Sequence, residues 1–181
     1  MPAPALKVVT TGLEFPEGPI AMADGSVILV EIRSAKLTRV ASDGSKTTVA
    51  QMTGGPNGAA LGPDGKVYVC NNGGFSWLVD PVNGLRPTGQ AEDYSGGRIE
   101  RINLATGSAE RLYEQVDGFG LRGPNNLVFD AHGGFYFTDH GMTEGRISHL
   151  TGIYYGRNDG SSVTELVWPV DVPAEAFSIG W

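Results

Sequence analysis

One short unit occurs three times in this chain at matching offsets, and it limits the possible folds more than any other feature. Pro16-Glu17-Gly18, Pro56-Asn57-Gly58 and Pro124-Asn125-Asn126 each precede a short apolar run, "PIAMA", "AALGP" or "LVFDA". Seven positions after Glu17, Asn57 and Asn125 come Asp24, Asp64 and His132, each followed by a glycine, Gly25, Gly65 or Gly133. A second run then begins: "VILVEI" at Val27, "VYVCNN" at Val67, "FYFTDH" at Phe135. Fourteen positions after Glu17, Asn57 and Asn125 stands a polar residue, Glu31, Asn71 or Asp139. The runs are too short for helices and rich in β-branched and aromatic residues. Joined by Asp-Gly or Gly-Gly turns, they read as hairpins whose first strand is buried.

A second hairpin follows each unit, in "KLTRVASDGSKTTV" from Lys36, "GRIERINLATGSAERLY" from Gly97 and "GIYYGRNDGSSVTEL" from Gly152. Two hairpins make four antiparallel strands, the blade of a β-propeller. A β-sandwich also has short strands and frequent turns, but it does not place the same residues at the same offsets three times. The expectation is therefore all-β, one propeller domain over residues 1–181, with about three to three and a half blades. Glu17 and Asn57 are 40 residues apart, an ordinary blade period, whereas Asn57 and Asn125 are 68 apart. The excess falls in a Gly/Pro/Asp-rich insertion at about 73–97, read as a loop over one face, a candidate lid. Propellers close with roughly four to eight blades. Three leave open edges, so the chain is expected either to belong to a longer protein or to close as a homo-oligomer.

Glycine at 27 positions fits a chain that turns often. A net charge of -7 without any run of Lys or Arg gives no footprint for nucleic acid or an anionic membrane. No stretch approaches the ~20 apolar residues of a spanning helix, and "MPAPALKVVTTG" lacks the pattern of an export signal. The expected compartment is the cytoplasm. Cys70, the single cysteine, lies in a strand-like run and reads as a buried hydrophobe, not a reactive thiol.

First strands should run along the central channel, so Glu17, Asn57 and Asn125 are expected to meet at one mouth. One carboxylate with amide oxygens is a hard, oxygen-only set, suited to Ca²⁺ or Mg²⁺ and poor for zinc. The competing reading is that these residues cap turns. No GxSxG elbow or Cys/His pair supports a nucleophile, and His132, His140 and His149 receive no catalytic role.

The runs "EFPEGPIAMADGSVILVEI", "GGPNGAALGPDGKVYVCNNGG" and "GPNNLVFDAHGGFYFTDHG" resemble the gluconolactonase / senescence marker protein (regucalcin) family, over roughly residues 10 to 160. The resemblance implies a six-bladed propeller, a divalent cation in the channel, usually Ca²⁺, and hydrolysis of small-molecule sugar lactones or related esters. It makes Glu17 a direct metal ligand and Asn125 a residue beside the metal that also contacts substrate. Asn57 becomes a channel-facing substrate residue, and Asn126, which stands where relatives often carry Asp, a further substrate-binding residue. An arginine two residues before the third-blade position in some relatives is Gly123 here, with Arg122 one step away.

The family's fourth-blade Asn and fifth-blade acid/base Asp have no counterpart: near residue 175 the sequence reads "VPAEAFSIGW". The catalytic residue is thus unknown, and the chain is expected to act as a truncated lactonase with weak or no activity alone. Asp139 is the best acidic candidate for a base, against a role in capping the Gly141 turn. Two other readings stay open: a non-catalytic propeller fragment that binds a small ligand or a protein, and a strictosidine-synthase-like propeller.

Overall fold

The computed structural model describes residues 5–82 and 84–170. The expected start of a fourth blade, with Glu175, lies outside the described residues. Every described element is a β-strand, and among the described residues no helix is long and apolar enough to cross a membrane.

The first blade is β1 (Pro16–Ala21), β2 (Val27–Glu31), β3 (Lys36–Val40) and β4 (Lys46–Gln51), hydrogen-bonded in that order. The next strands are β5 (Pro56–Leu61), β6 (Val67–Asn71), β7 (Phe75–Asp80), β8 (Gly84–Gln90), β9 (Arg98–Ile102) and β10 (Ala109–Tyr113). Of these, β5, β6, β9 and β10 form the second blade, and β7 pairs only with β8. After a small hairpin of β11 (Gln115–Val116) and β12 (Phe119–Gly120) come β13 (Pro124–Phe129) and β14 (Gly134–Asp139). Another small hairpin, β15 (Thr143–Glu144) and β16 (Ile147–Ser148), precedes β17 (Thr151–Arg157) and β18 (Val163–Val170). The third blade is β13-β14-β17-β18. Three four-stranded antiparallel blades make this an open part of a β-propeller.

Local side-chain chemistry sets the turns. Asp24 accepts from the Ser26 N–H at 3.0 Å, Asp64 from Lys66, and in the second hairpins Asp43 from Ser45 and Asp159 from Ser161. These are Asx turns, in which a carboxylate satisfies a backbone donor two residues on. In the third blade, where His132 takes the usual Asp place, Asp130 accepts from the His132 and Gly134 N–H groups instead, and from the Tyr155 hydroxyl at 2.8 Å.

Alternation along β6 packs the middle blade on both sides. Val67 and Val69 join Ile28, Val30 and Leu37 of the first blade, while Tyr68 and Cys70 join Phe135, Phe137 and Tyr154 of the third. Consequently every residue of β6 is buried. By contrast β1, expected to be buried, is exposed or half-buried throughout, because β5 flanks it on one side and no described strand lies on the other. The Cys70 thiol is fully buried and its pKa is pushed well up, first by desolvation and then by the charge of Asp139. Native protein is expected to leave Cys70 unreacted with a thiol-disulfide reagent near ~pH 8, and unfolding to release one reactive thiol.

The insertion is not the irregular loop expected. Phe75–Asp80 and Gly84–Gln90 pair as an antiparallel hairpin, with Leu78 opposite Arg86 and Val79 opposite Leu85 and one register shift between Phe75 and Trp77.

Candidate functional site

The same irregularity opens the first strand of every blade. Pro16 pairs with Glu31 and Glu17 with Val30, Pro56 with Asn71 and Pro124 with Asp139; the register then slips by one residue before pairing resumes at Ile20, Ala59 and Leu127. A bulge inserts an extra residue and re-aims side chains. Asn57, Asn125 and Asn126 sit within these bulges and Glu17 directly before one, all at the head of a first strand.

Glycine lets the three heads lie against one another. A Cβ on Gly18 would collide with the Ala59 nitrogen, and one on Gly58 would collide with the Asn125 carbonyl oxygen and stand 2.7 Å from the Asn126 Cα. Backbone therefore touches backbone from β1 to β5 and from β5 to β13. The lower parts of these strands, from Pro19, Ala59 and Leu127 onward, line one apolar cavity of about 340 Å³. The first strands are thus the innermost, and the structure lays Glu17, Asn57 and the Asn125-Asn126 pair side by side above that cavity. Glu17 is exposed, Asn57 buried, and Asn125 and Asn126 half-buried.

The polar residue that ends each second strand holds the segment that enters the first. Glu31 accepts from the Glu14 N–H at 2.8 Å and the Thr38 hydroxyl at 2.6 Å. Asn71 accepts from the Gly55 and Gly73 N–H groups. Asp139 accepts from Arg122 and Gly123, both at 2.7 Å, and from Gly141 at 2.8 Å. With three backbone donors on its two oxygens, Asp139 is a turn clamp in the same place as Glu31 and Asn71, and the capping reading holds.

Behind Asn57 lies a network that sequence reading missed. Arg98, fully buried, donates from Nε to Glu100 Oε1 at 2.9 Å, from Nη2 to the Thr53 carbonyl at 2.7 Å, and from Nη1 to Ser95 Oγ and the Gly96 carbonyl. Glu100 Oε2 accepts from Asn71 Nδ2 at 2.8 Å, and Asn71 Nδ2 also reaches the Thr53 carbonyl. One buried ion pair thereby fixes the loop before Asn57 to the stem of the insertion. The available signal was the pairing of Arg98 and Glu100 two apart on a strand, which puts both on one face.

The insertion hairpin crosses the same end of the molecule. Trp77 packs on Phe15, two residues before Glu17, with ring centroids 5.0 Å apart; Phe75 lies 6.1 Å from Trp77 and stacks on His140 at 6.2 Å. Phe15 has φ 60°, a left-handed conformation that costs a bulky residue about 1–3 kcal/mol and persists only where surroundings enforce it. At the hairpin's base the Tyr94 hydroxyl, its pKa raised chiefly by burial, donates to the Arg122 carbonyl at 2.7 Å. Arg122 also lines a separate cavity of about 320 Å³ with Leu121, Tyr154 and Trp168, and none of the four head residues lines it.

Among the described residues no three His, Cys, Asp or Glu side chains cluster to hold a metal. The set at the blade heads is of another kind: the Glu17 carboxylate with the amides of Asn57 and Asn125. These hard oxygens match Ca²⁺ or Mg²⁺ in kind, and number three where Ca²⁺ takes six to eight.

Residues 15–174 match the model of the SMP-30/gluconolactonase/LRE-like region. The chain belongs to this family. Among curated relatives of this SMP-30/gluconolactonase/LRE-like protein is the lactonase drp35 of Staphylococcus haemolyticus, 28% identical over 172 residues, which cover 93% of this chain and 46% of that one. A gluconolactonase of Zymomonas mobilis is 25% identical over 155 residues, covering 76% and 37%. The family member described here thus spans less than half the length of both. In fold it is similar to a gluconolactonase from Xanthomonas campestris, with a TM-score of 0.63 at 19% identity over 86% of this chain and 48% of that one. A virginiamycin B lyase from Staphylococcus aureus has a TM-score of 0.58 at 17% identity, covering 87% and 43%.

Proposed function

We propose that the blade heads form part of a divalent-cation site for hydrolysing sugar lactones or related esters, and that the cation is Ca²⁺. The observation that supports this reading is the close backbone approach of Gly18 to Ala59 and of Gly58 to Asn125 and Asn126, in a chain whose curated relatives are a lactonase and a gluconolactonase.

Glu17 supplies the anionic ligand and Asn125 a neutral oxygen beside it. Asn57 and Asn126, one buried and one half-buried, hold the lactone by amide hydrogen bonds. A bound divalent cation would polarise the lactone carbonyl and stabilise the charge that develops on its oxygen. Glu17 is unsuited to take the proton of the attacking water, since a carboxylate committed to a cation is held ionised with its lone pairs engaged. Asp139 is unsuited too, because backbone N–H groups occupy both its oxygens. Neither carboxylate is thus free to act as general base, a role worth typically ~10²–10⁴-fold.

Low turnover is therefore expected of this chain by itself. In a pH-stat assay with gluconolactone, slow Ca²⁺-dependent acid release should disappear with a chelator and in Glu17→Gln. Turnover insensitive to the chelator, or none above the spontaneous rate, would overturn the reading.

A further inference from the structure

The hairpin of β7 and β8 leaves the second blade immediately after Asn71 and reaches both of its neighbours at the end where the blade heads lie. Its aromatic side chains make a continuous row, Phe15, Trp77, Phe75 and His140, that takes one residue from the first blade, two from the insertion and one from the third. Phe75 and Trp77, two apart on a strand, share a face. Both stay half-buried, whereas Leu78 and Val79 beyond them are exposed. The row is thus neither a sealed core nor a free surface.

Two further features tie the row to the site. Phe15 keeps its left-handed backbone directly before Pro16-Glu17 while its ring rests on Trp77, and the Phe15 carbonyl accepts from the Ile32 N–H at 3.1 Å. At its far side the hairpin comes close to the third blade's small hairpin, where a Cβ on Gly89 would stand 3.1 Å from the Thr143 carbonyl oxygen. Its stem is fixed by bonds from Ala91 N–H to the Gly74 carbonyl and from Ser95 N–H to the Gly73 carbonyl. An anchored hairpin with half-open rings beside the blade heads has the form of a wall for a ligand.

We propose that Phe75 and Trp77 are specificity-determining residues of the lactone site, stacking on the C–H face of the bound ring and favouring lactones that present such a face. This deepens the lactonase reading and rests on it. Aromatic faces attract polarised C–H and cationic groups, whereas a carboxylate or hydroxyl edge is better served by the blade-head amides. The wall and the amides would thus grip opposite sides of one substrate.

The experiment uses the whole chain with saturating Ca²⁺. Trp77→Ala is expected to raise KM for gluconolactone by about tenfold with kcat within about twofold, and Trp77→Phe to restore most of the loss. Equal KM in Trp77→Ala and wild type, or a fall in kcat and melting temperature at constant KM, overturns the proposal and leaves the hairpin structural. A second readout needs no turnover: 1,5-anhydroglucitol, which keeps the six-membered ring without the ester, titrated into wild type should quench tryptophan fluorescence, and Trp77→Phe should abolish the quench. Absence of a Trp77-dependent quench overturns the wall whether or not the chain hydrolyses lactones. A Trp77-dependent quench without hydrolysis supports the wall and removes the lactonase reading instead.

Discussion

Arg98→Ala is expected to destabilise the protein by about 3–5 kcal/mol, the typical cost of removing one partner of a buried ion pair. The side chain is fully buried, and its loss strands the buried Glu100 carboxylate with Asn71 as its remaining hydrogen-bond partner. The Thr53 carbonyl would lose one of its two donors, Arg98 Nη2, and keep the other, Asn71 Nδ2. Ser95 Oγ and the Gly96 carbonyl at the stem of the insertion lose the Arg98 donors, leaving Ser95 held by its bonds to the Gly73 carbonyl. Urea unfolding should therefore show a lower midpoint, while the double variant Arg98→Met/Glu100→Leu recovers much of the loss because no buried charge remains unpaired. A single-variant cost below ~1 kcal/mol would mean that water reaches Glu100 in the folded state.

Gly58→Ala should be the second most damaging change. Its Cβ would meet backbone, the Asn125 carbonyl and the Asn126 Cα, so no side-chain rotation can relieve the clash. Overpacking of this kind costs typically ~1–3 kcal/mol, occasionally more. Here the strain must push the second and third blades apart at the heads, separating Asn57 from Asn125, so cation affinity should fall together with stability. Gly65→Ala is the matched control: at φ +74 it is strained, yet nothing lies within 4 Å of a Cβ there. It should lower the melting temperature by the cost of a left-handed residue, ~1–2 kcal/mol, without changing Ca²⁺ binding.

The hairpins were legible because their determinants are local. An Asp or Asn followed closely by Gly fixes a turn through bonds spanning two residues, and alternation on either side does the rest. Even the third blade was placed correctly with His132 at the turn, although Asp130 holds that turn in Asp's stead. The polar residues at Glu31, Asn71 and Asp139 were visible as a repeat, but their shared task, clamping the entry to the first strand, depends on bonds 16 or 17 residues long. Longer-range features were not legible. Arg98 meets Thr53 across 45 positions, and the Phe15–Trp77 contact joins two blades that no local pattern links. Within "FSWLVD" the strand signal was present, yet the surrounding Gly and Pro residues made the whole insertion read as irregular.

At the site, spacing alone put Glu17, Asn57 and Asn125 at equivalent positions, and the strand bulges with Gly18 and Gly58 supply the reason they lie together. Their chemistry is a different matter, because three oxygen donors fit both a turn cap and part of a Ca²⁺ shell. Neither Glu17 nor the head asparagines takes part in a bond comparable to those of Glu31, Asn71 and Asp139, which already do the capping in each blade.

The central claim is that Glu17 is the anionic ligand of a cation held at the blade heads, and Ca²⁺ titration by calorimetry tests it most directly. Wild type should bind with a measurable heat, and Glu17→Gln, which keeps the shape but removes the charge, should lose at least about tenfold in affinity at unchanged melting temperature in chelator. Equal affinities in the two proteins, or no binding heat in either, would contradict the account.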